Sequence, residues 1–183
     1  MNKTKVNIYL IGYRGTGKST VAPLVAEMLG PSWQAVDMDP LIEEQAESTI
    51  AEIFADEGEA GFRDRESQIL TMLAQKNQHV IATGGGVIER PGNHELLTDG
   101  FVVWLTAPPE VILERVSSDK LTASRRPNLT TQGGLDEIDK ILTRRTPIYQ
   151  SVAQLTLSTE SATPAELARQ IVDTFVPMAG ERS

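Results

Sequence analysis

The stretch Gly12-Tyr-Arg-Gly-Thr-Gly-Lys18-Ser19 constrains this chain more than any other. It matches G-x-x-x-x-G-K-[ST]. An apolar run over residues 6–11 precedes it and reads as a strand. Residues 19–29 follow, and their Val21, Leu24, Val25 and Met28 recur on one helical stripe. Glycines at this spacing permit positive φ. Such angles turn successive N–H groups inward as a nest for phosphate oxygens, and the N-terminus of the helix adds partial positive charge. The loop is therefore expected to cradle a nucleoside triphosphate with Gly12, Gly15, Thr16, Gly17, Lys18, Ser19 and Thr20. Lys18 would bridge the β- and γ-phosphates, and the Ser19 hydroxyl would face Mg²⁺. The motif is silent on what receives the phosphate.

The rest of the chain alternates in the same way. Strands are expected at 34–37, 79–82, 101–105 and 153–157. Helices are expected at 41–47, 50–57, 61–76, 109–116, 135–143 and 164–175, the last capped by Thr163 with Pro164 in its first turn. This βαβα rhythm predicts an α/β fold, a parallel sheet flanked by helices. A length of 183 residues suits a single domain, 1–183. The formal charge of −8 disfavours a nucleic-acid or anionic-membrane binder, which needs a basic face. Any anionic ligand must then be held by a local cluster of cations. Cysteine is absent, which excludes disulfides, thiolate metal sites and Cys nucleophiles and fits a cytoplasmic protein. No apolar run reaches the ~18 residues of a membrane span, and the start reads as a buried strand rather than a leader.

Several clusters bear on the acceptor. Asp37-Met38-Asp39 ends the second strand. Alternation there puts both carboxylates on one side, at the strand edge where open α/β sheets bind ligands. One would hold Mg²⁺ through water and the other would accept a hydrogen bond from a substrate hydroxyl. The plainer reading is that Asp39-Pro40 caps the next helix. Arg63 falls near a helix start, where the dipole disfavours a cation. Either an anionic ligand explains it or a surface pair with Glu66 does. Thr83-Gly84-Gly85-Gly86 either lets a ligand touch main chain or is a plain loop. Arg125-Arg126-Pro127 lies in 121–134, a stretch without apolar period that reads as a mobile loop. Arg144 and Arg145 fall at the expected end of 135–143, where cations also serve as simple helix-end charges. Basic residues favour Arg over Lys, 11 to 6, which fits bidentate anion clamps.

Taken together, Gly12 to Ser19, the D-x-D at 37–39, Gly61-Phe62-Arg63 with Glu66, Gly84-Gly85-Gly86, Arg126-Pro127 and Arg145-Thr-Pro-Ile-Tyr149 resemble the shikimate kinase family over nearly the whole chain. The resemblance implies a nucleoside-monophosphate-kinase-like P-loop fold with a five-stranded parallel sheet. It also implies a substrate-binding helical region at about 38–66 and a lid at about 121–134. It implies MgATP-dependent phosphorylation of the 3-hydroxyl of shikimate, on the route to aromatic amino acids, by a cytoplasmic monomer. On that analogy Arg63 and Arg145 clamp the shikimate carboxylate, and Asp39 meets ring hydroxyls as base or positioner. The backbone of Gly84, Gly85 and Gly86 meets the substrate, Asp37 joins Ser19 around Mg²⁺, and Arg126 reaches the transferred phosphate. Departures are Asn128 in the lid, Arg125 beside Arg126, an unsettled counterpart in Lys120, and no Arg in 159–162 for the adenine. Two rivals stand beside this reading: a P-loop kinase for gluconate or a nucleotide, and a catalytically silent relative. Lys18, Asp39 and Arg63 all being present argues against the second.

Overall fold

The computed structural model describes residues 6–118 and 134–181. Its sheet is parallel throughout, in the order β2-β3-β1-β4-β5. The strands are β1 (Ile8–Ile11), β2 (Gln34–Asp37), β3 (His79–Ala82), β4 (Phe101–Thr106) and β5 (Leu155–Ser158). The helices are α1 (Lys18–Leu29), α2 (Met38–Ala46), α3 (Ile50–Ala74), α4 (Pro91–Thr98), α5 (Pro109–Ser118), α6 (Leu135–Val152) and α7 (Pro164–Glu181), with a 3₁₀ turn at Val87–Glu89.

The central strand shows why both faces are covered. All four residues of β1 are buried, as a parallel strand between helical layers requires. Ile8 and Leu10 pack with Val21 and Val25 of α1 and Leu167 and Ile171 of α7. Tyr9 and Ile11 point the other way, into a cluster with Met38, Ile42, Phe62, Ile69 and Tyr149. This second cluster gathers α2, α3 and α6 against one face of the sheet. Because β1, β2 and β3 pair in parallel, their C-terminal ends open on the same edge.

Where expectation and structure part, packing decides. The two helices expected at 50–57 and 61–76 are joined in α3, broken only at Gly58 (φ 70°, ψ −174°). Thr49 and Glu52 start α3 with a capping box: the Glu52 amide donates to Thr49 Oγ1 at 3.2 Å and the Thr49 amide to Glu52 Oε2 at 2.8 Å. Thr163 and Glu166 make the same exchange before α7. Helix α4 was not foreseen, although Pro91 at its first turn is a signal for it.

Helix α6 runs nine residues past its expected end at 143, straight through Pro147. Ile138, Ile141, Arg145, Tyr149 and Val152 recur at steps of three and four, and all are buried. Burial of that stripe offsets the ~3 kcal/mol an interior proline costs a helix. Arg144 and Arg145 thus lie inside α6, and their reading as helix-end charges is corrected. Among the described residues, no helix is long and apolar enough to cross a membrane.

Gly58 offers a clean test. Nothing lies within 4 Å of a Cβ built there, so only the backbone resists a side chain. Its φ/ψ pair belongs to a region essentially reserved for glycine. Gly58→Ala should lower unfolding free energy by about 1–3 kcal/mol in urea titrations, and an unchanged midpoint would mean the kink relaxes.

Candidate active site

The phosphate loop joins β1 to α1 as expected. Gly12, Gly15 and Gly17 all take positive φ, at 138°, 79° and 85°. Thr16 folds inward, its hydroxyl donating to the Tyr13 carbonyl at 2.7 Å. Lys18 is buried, and its Nζ donates to the carbonyls of Gly12 and Tyr13, both at 2.8 Å. The ammonium is thus held across the mouth of the nest. A cleft of about 440 Å³ opens over this loop. Gly15, Thr16, Gly17, Lys18, Ser19, Thr20, Asp37, Asp39, Gly84 and Gly85 are among its lining residues. Nucleotide-loop residues and candidate acceptor residues, distant in sequence, therefore share one wall.

Asp37 and Asp39 reach the cleft by a route other than strand alternation. Helix α2 already begins at Met38, so Asp39 is helical. Asp37 is the N-cap, its Oδ1 accepting the Asp39 amide at 3.1 Å. The capping role foreseen for Asp39 belongs to Asp37.

Arg63 and Arg145 do not line that cleft. They lie behind its glycine wall and meet each other through a shared carboxylate. Arg63 Nε is 3.3 Å from Glu89 Oε2, and Arg145 Nε donates to Glu89 Oε1 at 3.1 Å. Arg63 Nη1 donates to Glu66 Oε2 at 2.8 Å. With Arg63 6% and Glu66 0% exposed, the surface-pair reading fails. A Cβ on Gly86 would fall 2.3 Å from the Arg63 guanidinium carbon, so glycine is what lets this side chain pass. Tyr149, one turn beyond Arg145, donates its hydroxyl to the Gly85 carbonyl. Burial pushes that phenol far above its usual pKa, which keeps it a donor. Burial works against the charged form of Arg63, yet Glu66, Glu89 and Glu59 outweigh it and hold its pKa above the ordinary value.

Several participants were not foreseen. Glu89 carries no motif signal. Arg115 lines the cleft and staples it, donating to Gly15 O at 3.3 Å, to Thr159 Oγ1 at 2.8 Å and to Thr159 O at 2.6 Å. It supplies a cation beside the 159–162 loop that lacks one. Tyr149 was legible, since a spacing of four from Arg145 puts both on one helix face. Lys120, Arg125, Arg126 and nearly all of the expected lid, 121–133, lie outside the described residues.

A phosphate nest at the head of a parallel sheet, facing paired carboxylates and backed by buried guanidiniums, defines a P-loop kinase of a small molecule. The shikimate kinase family model matches residues 14–176. A shikimate kinase of Rhodopirellula baltica is 43% identical over 176 residues, spanning 94% of this chain and 93% of that protein. The solved shikimate kinase of Acinetobacter baumannii in complex with shikimate superposes with a TM-score of 0.87 at 37% identity, covering 96% of each chain. A gluconokinase of Sinorhizobium meliloti, at 16% identity and TM-score 0.58 with 98% and 97% covered, shares the fold alone. The chain belongs to the shikimate kinase family. With that membership comes the family's reaction, ATP-dependent phosphorylation of shikimate.

The ion-pair cluster should leave a mark on stability. Burial alone would raise the Glu89 pKa, but Arg145, Arg63 and Arg144 outweigh it and hold it below its unfolded value of 4.5. The stability this lends is complete above that value and drains as pH falls through the lowered folded one. The urea-midpoint gap between the native protein and Glu89→Gln should therefore shrink on acidification below about pH 4.5. A gap constant with pH would remove Glu89 from the network.

Proposed function

We propose that this chain catalyses shikimate phosphorylation with both substrates seated in the cleft that the phosphate loop, Asp39 and the glycine run line together. ATP lies in the nest of Gly12, Gly15, Thr16, Gly17, Lys18, Ser19 and Thr20, with Lys18 leaving its loop carbonyls for phosphate oxygens. Shikimate lies against Asp39 and the backbone of Gly84, Gly85 and Gly86, its carboxylate held by Arg63 and Arg145. The observation that carries this reading is the pair of buried guanidiniums meeting on one carboxylate, with Arg63 packed against Gly86. Arg145 Nη2 is buried without a hydrogen-bond partner among the described residues, so the site holds a donor that an anion would satisfy.

Mg²⁺ fits the donor set. Ser19 and Asp37 line the same cleft with a hydroxyl and a carboxylate, the hard oxygens that suit magnesium alongside phosphate and water. Bound there, the ion would neutralise phosphate charge. The chain's own groups do the remaining work. Main-chain amides and Lys18 hold the migrating phosphoryl group, Asp39 orients the 3-hydroxyl and receives its proton, and the arginine clamp fixes the ring. Arg126 completes the phosphate contacts from a lid at 121–134 that excludes water. The substrate region is 38–66 within one domain, and the working unit is a cytoplasmic monomer.

ADP release with and without shikimate, run beside gluconate and a nucleoside monophosphate panel, tests the acceptor. Turnover confined to shikimate is expected, and turnover of gluconate instead would overturn the assignment. Asp39→Asn should cut turnover by about 10²–10⁴-fold while ATP binding persists. Near-native turnover would remove Asp39 from the chemistry. Arg63→Lys should raise the KM for shikimate about tenfold because the planar fork is lost, and an unchanged KM would leave Arg63 a purely structural charge.

A further inference from the structure

The acceptor clamp already holds an anion of the protein's own making. Glu89 ends the 3₁₀ turn that follows the glycine run, and its carboxylate bridges Arg63 and Arg145. Among the described residues, three guanidiniums, of Arg63, Arg144 and Arg145, face three carboxylates, of Glu59, Glu66 and Glu89. The set is balanced before any substrate arrives. A further carboxylate would leave excess negative charge where solvent screens it weakly, so one of the resident three must give way.

Geometry identifies which. Glu66 is wholly buried against Arg63 and has nowhere to go. Glu59 is half-exposed and pairs with Arg63. Glu89, its side chain 19% exposed, touches both clamp arginines, and it does so poorly. Its contact with Arg63 Nε is an ion pair that fails hydrogen-bond geometry. On Arg145 it takes only Nε, while the neighbouring Nη2 stays unpartnered among the described residues. A guanidinium edge that grips carboxylates with two donors is thus engaged by one. Arg144, with a side chain 63% exposed, already pairs with the same Glu89 oxygen from the solvent side.

We propose that Glu89 is the displaceable counter-ion of the acceptor clamp: it occupies Arg63 and Arg145 until the acceptor's carboxylate takes both, and it then swings onto Arg144. The inference rests on the reading that these arginines bind that carboxylate. Glu89 keeps two buried charges compensated in the empty enzyme. It also sets an entry condition, because a neutral alcohol of the same shape has no charge with which to dislodge it.

Calorimetric titration of the native protein and Glu89→Gln, with shikimate and with its uncharged methyl ester, tests this. Glu89→Gln keeps the shape and removes the competitor, so shikimate should bind about tenfold tighter, the value of one charge-assisted contact, while the ester gains little. Arg144→Ala, at an exposed position that does not threaten folding, should weaken shikimate binding in the native background and not in the Glu89→Gln background. Weaker or unchanged shikimate binding in Glu89→Gln overturns displacement, as does an equal gain for the ester or an equal Arg144→Ala effect in both backgrounds. If neither protein bound shikimate, the acceptor reading itself would fall, and the inference with it.

Discussion

Two guanidiniums enclosed in the protein must be neutralised, and the acceptor half of the molecule is arranged around that demand. A buried charge is costly unless paired and hydrogen-bonded. Stripping one partner from such a pair costs about 3–5 kcal/mol. Arg63 comes from α3 and Arg145 from α6, while Glu66 and Glu89 come from α3 and the 3₁₀ turn. The ion pairs thus bind together three segments that the apolar cluster under the sheet brings into range. Hydrophobic packing sets the distances, and charge compensation sets the orientations.

The glycine loop and helix α6 meet at Tyr13. Two guanidiniums approach its buried ring, those of Arg14 and Arg145, each 5.9 Å from the centroid. The Tyr13 carbonyl accepts from both Thr16 and Lys18. Tyr149 ties α6 to the Gly85 carbonyl. The glycine loop after β1 and helix α6 are consequently in contact through side chains rather than through a flexible linker. This is the rigidity that phosphoryl transfer needs, since its catalysis is mostly positioning.

The nucleotide half was legible because its information is contiguous. A strand, a glycine-spaced loop and an amphipathic helix occupy residues 8–29, and each φ requirement falls on a glycine. The acceptor half was legible as a pattern of motifs, and its local geometry was partly misread. The expected end of the helix at 143 fell short of α6, and so missed the stripe that buries Arg145 with Tyr149. The D-x-D pair was placed by strand alternation, although Asp39 is held by a helix that starts one residue earlier. In both places a local rule gave way to the apolar surface on offer.

The sequence by itself determined the parallel sheet, the phosphate nest and the residue types available to the acceptor, because period and glycine spacing are local properties. Only the tertiary structure decided which charges meet. Arg145 finds Glu89 across 56 residues, and Arg115 finds Thr159 across 44. No spacing rule encodes such partners. They are chosen by the packing of α3, α5 and α6 against the sheet, which fixes where each buried charge must find its opposite.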